Sequence, residues 1–271
     1  GIGVVVLGSG TALAVSLFDF PGRKTLEWAL LLPLAMPAYV VAYAYTDFLQ
    51  YSGPLQMWLR QTTGMQGALW PDIRSLWGAA LVLSMSLYPY VYLLARTALT
   101  ERATPLMEAA RLLGAPLWRR IWRLALPLAR PAIAAGTALA LMETLADFGV
   151  ASYFGVQTFT AGIYKAWLVM DNRVAAAQLA TSLLLLVALM LKLEHSAQSR
   201  LRFANTSGGT HGSEAQALRL HGAHAALAWA LCSLPVLLGF GVPVLLLLTA
   251  LAHAGDTGLP WMRFVDWTWN S

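Results

Sequence analysis

What most restricts the fold of this chain is that its apolar residues fall into blocks about as long as a bilayer is thick. A helix needs about 20 apolar residues in a row to cross a hydrocarbon core roughly 30 Å deep. Six such blocks can be marked: Gly1 to about Leu17, Leu26 to Phe48, Leu76 to Leu99, Ala132 to Phe154, Val174 to Leu191 and Ala225 to Ala252. Inside hydrocarbon each backbone N–H and C=O must be satisfied within its own segment, so apolar blocks of this length predict helices. Only 11% of the 271 residues are charged, against about 25% in an average soluble domain. The predicted fold class is all-α, a polytopic transmembrane helix bundle with about six spans. The first block opens at Gly1 without a methionine and reads as a truncated span, and the whole chain as an internal piece of a longer protein.

The joints between blocks carry turn chemistry. Asp19-Phe20-Pro21-Gly22-Arg23-Lys24 is a tight polar turn, and Gln50 to Ser75 a longer loop with Gly53-Pro54, Gly64 and Trp70-Pro71-Asp72. Its Trp58 and Trp70, with Trp77 just beyond, suit an interfacial aromatic belt. Placing the loop between the third and fourth blocks in the cytoplasm puts 13 of the 18 Lys and Arg residues on that side, with Arg60, Arg74, Lys165, Arg173 and Arg263 opposite. The positive-inside rule selects this orientation, and membrane lipid becomes an expected partner. The same distribution, scattered over loop ends, argues against a nucleic-acid footprint. Cys232 is the single cysteine, so neither an intrachain disulfide nor a metal site on paired thiolates is available.

The most informative stretch is Thr104 to Pro131, TPLMEAARLLGAPLWRRIWRLALPLARP. Thr104 can cap a short helix that has Pro105 at its first position and Gly114 just past its end. Pro116 can open a second helix, which Pro127 is expected to stop near Leu126. Leu106, Ala109, Ala110 and Leu113 form the expected apolar stripe of the first helix, with Glu108 and Arg111 off it. In the second, Leu117, Ile121, Leu124 and Ala125 alternate with Arg119, Arg120 and Arg123. Too short and too charged to span, the pair is expected to lie at the cytoplasmic surface as a shaped knob for a partner. Alanines and a glycine would let that partner approach the backbone closely, and Glu108 would orient it from the rim.

Glu108-Ala109-Ala110, then Gly114, then Leu126-Pro127, set between two spans, resembles the EAA loop of the inner-membrane permeases of ABC importers. The resemblance implies the MetI-like, binding-protein-dependent permease fold. It also implies that the Glu108 helix docks on an ATP-binding subunit and passes motion to the membrane helices. Glu108, Ala109, Ala110, Gly114, Leu126 and Pro127 are then the coupling residues. More of the chain is similar to ferric-iron permeases with two fused halves, on FDFPGRKTLEWALLLPLAMPAYVVAYAYTDF and METLADFGVASYFGVQTFTAGIYKAW. On that likeness residues 1–194 are a first half truncated at its N-terminus, with the EAA loop at 104–131. Residues 195–224 are a cytoplasmic linker, and residues 225–271 the start of a second half. The implied partners are two ATP-binding subunits and a periplasmic or lipid-anchored solute-binding protein. The implied location is the bacterial inner membrane, multi-pass. Related permeases for sulfate, molybdate, thiamine, polyamines or phosphonates carry similar loops, so the cargo stays open beside ferric iron.

Within the spans, Glu143 and Asp147 stand four apart with Thr144 beside them, on what reads as one face of the fourth block. Ionisable groups there cost about 2.5 kcal/mol or more and face a cavity or a partner. A translocation-path role and a carboxylate held by structural hydrogen bonds are both open. Pro33, Pro37 and Pro89 predict kinks. Tyr39, Tyr43, Tyr45, Tyr88, Tyr90 and Tyr92 read as packing residues, with a polar passage as the other reading. His195, His211, His221 and His224 fall in the linker without thiolate or carboxylate support, so neither a metal site nor a cofactor is expected. The sequence has no G-x-x-x-x-G-K-[ST] phosphate loop, which leaves ATP hydrolysis to a separate subunit. Ser84, Ser86 and His253 make no recognisable pairing for an intramembrane enzyme.

Overall fold

The computed structural model describes residues 1–202, 218–253 and 261–269. The chain forms helices α1 (Ile2–Leu17), α2 (Arg23–Ala29), α3 (Ala38–Leu49), α4 (Pro54–Thr63) and α5 (Leu76–Ala98). These are followed by α6 (Thr104–Leu112), α7 (Leu117–Arg120), α8 (Leu126–Ala146), α9 (Gly149–Phe154) and α10 (Phe159–Tyr164). The last four are α11 (Arg173–Arg202), α12 (Ala223–Val236), α13 (Val242–His253) and α14 (Trp261–Trp269). Among the described residues, four rods are long and apolar enough to cross a bilayer: Leu76–Glu101, Leu117–Ala146, Arg173–Lys192 and Ala223–Ala252. The expected count of six is reached only by adding α1, a shorter apolar helix, and one broken pair.

That broken pair corrects the reading of Leu26 to Phe48 as one span. Arg23–Ala35 and Ala38–Thr63 meet at 89°. Met36 precedes Pro37 and is extended, at φ −109° and ψ 124°, because the proline ring excludes the α conformation of its neighbour. Pro89 has no such effect, and α5 runs through it unbroken.

Helix α5 is the centre of the bundle, with α1 on one side and α8 on the other. Glycines allow near backbone-to-backbone approach. A Cβ on Gly8 of α1 would stand 2.6 Å from Val91 Cβ and 2.8 Å from the Tyr88 carbonyl. One on Gly136 of α8 would stand 2.6 Å from Val91 Cα. Small residues at such seams let dispersion hold helices together where lipid removes the hydrophobic contrast. Tyr88 and Tyr92 are fully buried in this core. Tyr92 donates to the Glu27 carbonyl at 2.9 Å, and the Glu27 carboxylate pairs with Arg96. Tyr45 is also buried, whereas Tyr39 and Tyr43 stand on the open side of α3, so packing accounts for only part of the tyrosine group.

The polar stretch expected as a linker from residue 195 is helical as far as Arg202, and residues 203–217 lie outside the described residues. Leu218–Arg219 then pairs, parallel, with Phe18–Asp19. The Leu220 N–H donates to the Asp19 carbonyl at 2.9 Å, and Arg219 lies 3.8 Å from the Asp19 carboxylate. This brings residues 218–220 to the end of the bundle that holds the α1–α2 turn, the same side to which the charge distribution assigns them. Helix α12 packs on α1 and α2, and Tyr45 donates to the Leu238 carbonyl in the π-helical turn between α12 and α13.

Candidate functional site

The segment between α5 and the rod Leu117–Ala146 is built from a turn, the short helix α6 and the start of that rod. A π-helical turn, Leu99–Ala103, carries α5 into α6. Past the end of α6, Gly114 is left-handed at φ 79°; its N–H donates to the Arg111 carbonyl, and the Ala115 N–H to the Ala110 carbonyl, both at 3.0 Å. This 5→2 and 6→1 pair closes the helix in a Schellman motif. A Cβ on Gly114 would meet nothing within 4 Å. Its glycine is therefore required by backbone conformation rather than by close approach of a neighbour. The capping expected of Thr104 falls on a side chain outside the described set.

Two expectations for this segment are overturned. Pro127 does not stop a helix at Leu126: Leu117–Ala146 is a single 30-residue rod. A π-helical turn over Ile121–Ala125 sends the Leu126 N–H to the Ile121 carbonyl, and Pro127 then falls in the first turn of α8, where its missing N–H breaks no bond. The expected apolar stripe is not the buried one. Leu106 is 49% and Leu113 88% exposed, Ala109 is exposed, and Met107 at 5% is the residue turned inward. Glu108 lies on the open face beside Ala109, with Ala110 half-buried, and Leu126 and Pro127 are half-buried in the rod. Trp118 and Trp122 are exposed on the rod, their rings 5.2 Å apart.

Arg120, expected on the polar face, is buried at 7% exposure, and its Nη1 donates to the Met107 carbonyl at 3.2 Å. Sequence patterning missed this residue because an arginine beside Arg119 and Arg123 looks like one more solvated charge. The only available signal was its spacing from Leu117 and Ile121, which puts it on their side of the helix.

The structure also separates the two carboxylates of the fourth block. Glu143 is exposed on α8, and Thr144 Oγ1 donates to the Ala140 carbonyl at 2.7 Å. Asp147 lies past the helix end, with ψ 119°, and accepts the Val150 N–H at 2.9 Å, tying the start of α9. The expectation of one shared helical face therefore fails: the backbone turns extended at Asp147. Partial burial pushes the Asp147 carboxyl above its usual range, opposed by the Val150 N–H bond. Around it, Phe148 stacks on Tyr164 at 4.1 Å, and Arg74 lies 5.1 Å over the ring of Tyr153.

Among the described residues no three His, Cys, Asp or Glu side chains come together as metal ligands. His221 and His224 are exposed, while His211 and the His195 side chain lie outside the described set.

Residues 5–201 match the family of binding-protein-dependent transport system inner membrane components. The chain is 25% identical over 261 residues to the Fe(3+)-transport system permease protein FbpB 2 of Haemophilus influenzae, covering 94% of this chain and 47% of that protein. It is 34% identical over 135 residues to the molybdenum transport system permease protein ModB of Escherichia coli, covering 50% and 57% of the two chains. To the sulfate transport system permease protein CysT of Escherichia coli it is 28% identical over 144 residues, covering 53% and 50%. The chain thus spans about half the length of each of these relatives.

Proposed function

This chain belongs to the family of binding-protein-dependent transport system inner membrane components, and from that premise we propose that it is part of the permease of an ATP-driven ferric-iron importer. The family places it in the inner membrane, where its several apolar helices make it multi-pass. In this reading two ATP-binding subunits dock on α6 from the cytoplasm, and a periplasmic or lipid-anchored solute-binding protein delivers cargo on the opposite side. The chain performs no ATP chemistry itself. Closure of the ATP-binding subunits pushes on the Glu108 helix, and the movement tilts α5 and the rod Leu117–Ala146, opening the path to one side and then the other. The exposed Glu143, with Thr144 and Asp147 near the outer end of the rod, faces this path or the second permease half.

One observation carries the reading. A short helix with Glu108 and Ala109 outward is fixed between two spanning rods, at the end where positive charge collects. Ferric iron is favoured among cargoes because likeness to the ferric relative extends over 94% of this chain. The higher identity to the molybdenum permease, 34% over half the chain, favours an oxyanion as the second reading. The test is ATP-dependent uptake of radiolabelled ferric iron, or of molybdate, by cells expressing the full-length protein with its partner subunits. Iron uptake abolished by Glu108→Arg, with the permease still in the membrane, is the expected result. Uptake of molybdate alone overturns the cargo, and uptake indifferent to Glu108→Arg overturns the coupling role.

A further inference from the structure

Arg120 is the one charged side chain among the described residues that is buried. Taking a guanidinium out of water is costly unless its donors are met. Here Nη1 has the Met107 carbonyl at 3.2 Å, Nε has no acceptor, and among the described residues no carboxylate lies within ion-pair distance. Fold stability alone would be served as well by an apolar side chain of the same length. What the guanidinium supplies in addition is a directional polar link between two elements otherwise joined through the turn at Gly114 and the apolar packing of Met107.

That link has a particular place. Met107 is the buried side chain on the underside of α6, while Leu106, Leu112 and Leu113 stand exposed. A Cβ built on the left-handed Gly114 would meet nothing within 4 Å, so nothing braces the turn on that side. A force on α6 is therefore resisted at the turn by backbone conformation alone, and beyond it by the packing of Met107 in the core that Leu117 and Ile121 also join. The Arg120–Met107 contact spans the turn and ties α6 to the first residues of the rod Leu117–Ala146.

We propose that Arg120 is a positioning residue that makes the docking helix and the fourth span move as one body, so that motion imposed on α6 reaches the membrane instead of being absorbed at Gly114. The inference rests on the coupling role of α6. It requires that loss of the guanidinium uncouple the machine rather than disassemble it.

The experiment uses the full-length permease with its ATP-binding and solute-binding subunits in proteoliposomes. It compares wild type with Arg120→Met, Arg120→Lys and Glu108→Arg. Nitroxides at Leu113→Cys and Trp122→Cys report the angle between α6 and the rod, and the natural Cys232 is buried. In Arg120→Met the ATP-binding subunits are expected to remain bound, the label distances to broaden, and cargo moved per ATP to fall about tenfold, within the usual range of coupling energies. Arg120→Lys, which keeps a charged donor, is expected to restore most of both. If Arg120→Met does not reach the membrane, Arg120→Gln takes its place. Unchanged label distances and unchanged cargo per ATP overturn the proposal. Equal loss of bound ATP-binding subunits in Arg120→Met and Arg120→Lys overturns it too, in favour of a purely structural role. If Glu108→Arg neither releases the ATP-binding subunits nor alters cargo per ATP, the coupling reading itself fails, which the other two outcomes leave standing.

Discussion

Replacing Gly136 with alanine tests whether backbone contact between α8 and α5 holds the bundle. The added Cβ would lie 2.6 Å from Val91 Cα, 2.8 Å from the Tyr90 carbonyl oxygen and 3.0 Å from the Val91 nitrogen. All three are backbone atoms, so no rotamer change relieves them. Carbon contacts are comfortable from about 3.5 Å, so α8 must retreat from α5 by about 1 Å near the middle of both spans. Overpacking of this kind costs about 1–3 kcal/mol. Alanine returns up to about 1 kcal/mol in helix propensity, leaving a net loss of up to about 2 kcal/mol. Gly10 supplies the control. It lies in α1, and a Cβ there would meet nothing within 4 Å, so Gly10→Ala should gain the propensity term alone. Thermal unfolding of the purified full-length permease in one detergent, followed by loss of monodisperse protein, compares the two variants directly. Gly136→Ala should unfold a few degrees below wild type and Gly10→Ala at or slightly above it. Equal shifts of the two variants, in either direction, would mean that the glycine seam does not hold the bundle.

Two further perturbations follow from the same geometry. Asp147 has its carboxyl raised by burial, so the native state holds a proton more tightly than the unfolded chain. Its contribution to stability is present at low pH and is lost as pH rises through the unfolded value, 3.8, and on to the raised native one. Asp147→Asn should flatten that part of the stability–pH profile and keep the bond from the Val150 N–H, whereas Asp147→Ala should lose about 1 kcal/mol at every pH by removing the cap. At the C-terminal end of α5, Glu27→Ala or Arg96→Ala alone leaves a half-buried charge unpaired. Each should cost more than half of what the double variant costs, a non-additivity that a double-mutant cycle on unfolding midpoints reads directly.

Residue-by-residue chemistry determined a good deal. Block length and hydropathy predicted α5, the apolar span Arg173–Lys192 within α11 and the α12–α13 rod within a few residues, because a spanning helix satisfies its own backbone and needs no neighbour to exist. Gly114 and Pro116 marked the end of α6 and the start of α7, since a left-handed turn and a fixed proline φ are properties of single residues. Charge counting placed the Asp19 turn and Arg219 on one side, where the two strands pair. What the tertiary structure alone decided depends on partners distant in sequence. Pro37 and Pro127 are both prolines within apolar surroundings, yet at Pro37 the chain breaks and bends by 89° while at Pro127 it continues as one helix. The difference is that Met36 goes extended, whereas the π-helical turn over Ile121–Ala125 shifts the hydrogen-bond register ahead of Pro127. Likewise α6 has apolar residues on more than one side, and its own periodicity favours Leu106 and Leu113. Packing against α7 instead turned Met107 inward and drew the guanidinium of Arg120 beneath it. A short amphipathic helix takes its inner face from what it packs on, and that is settled only when the elements meet.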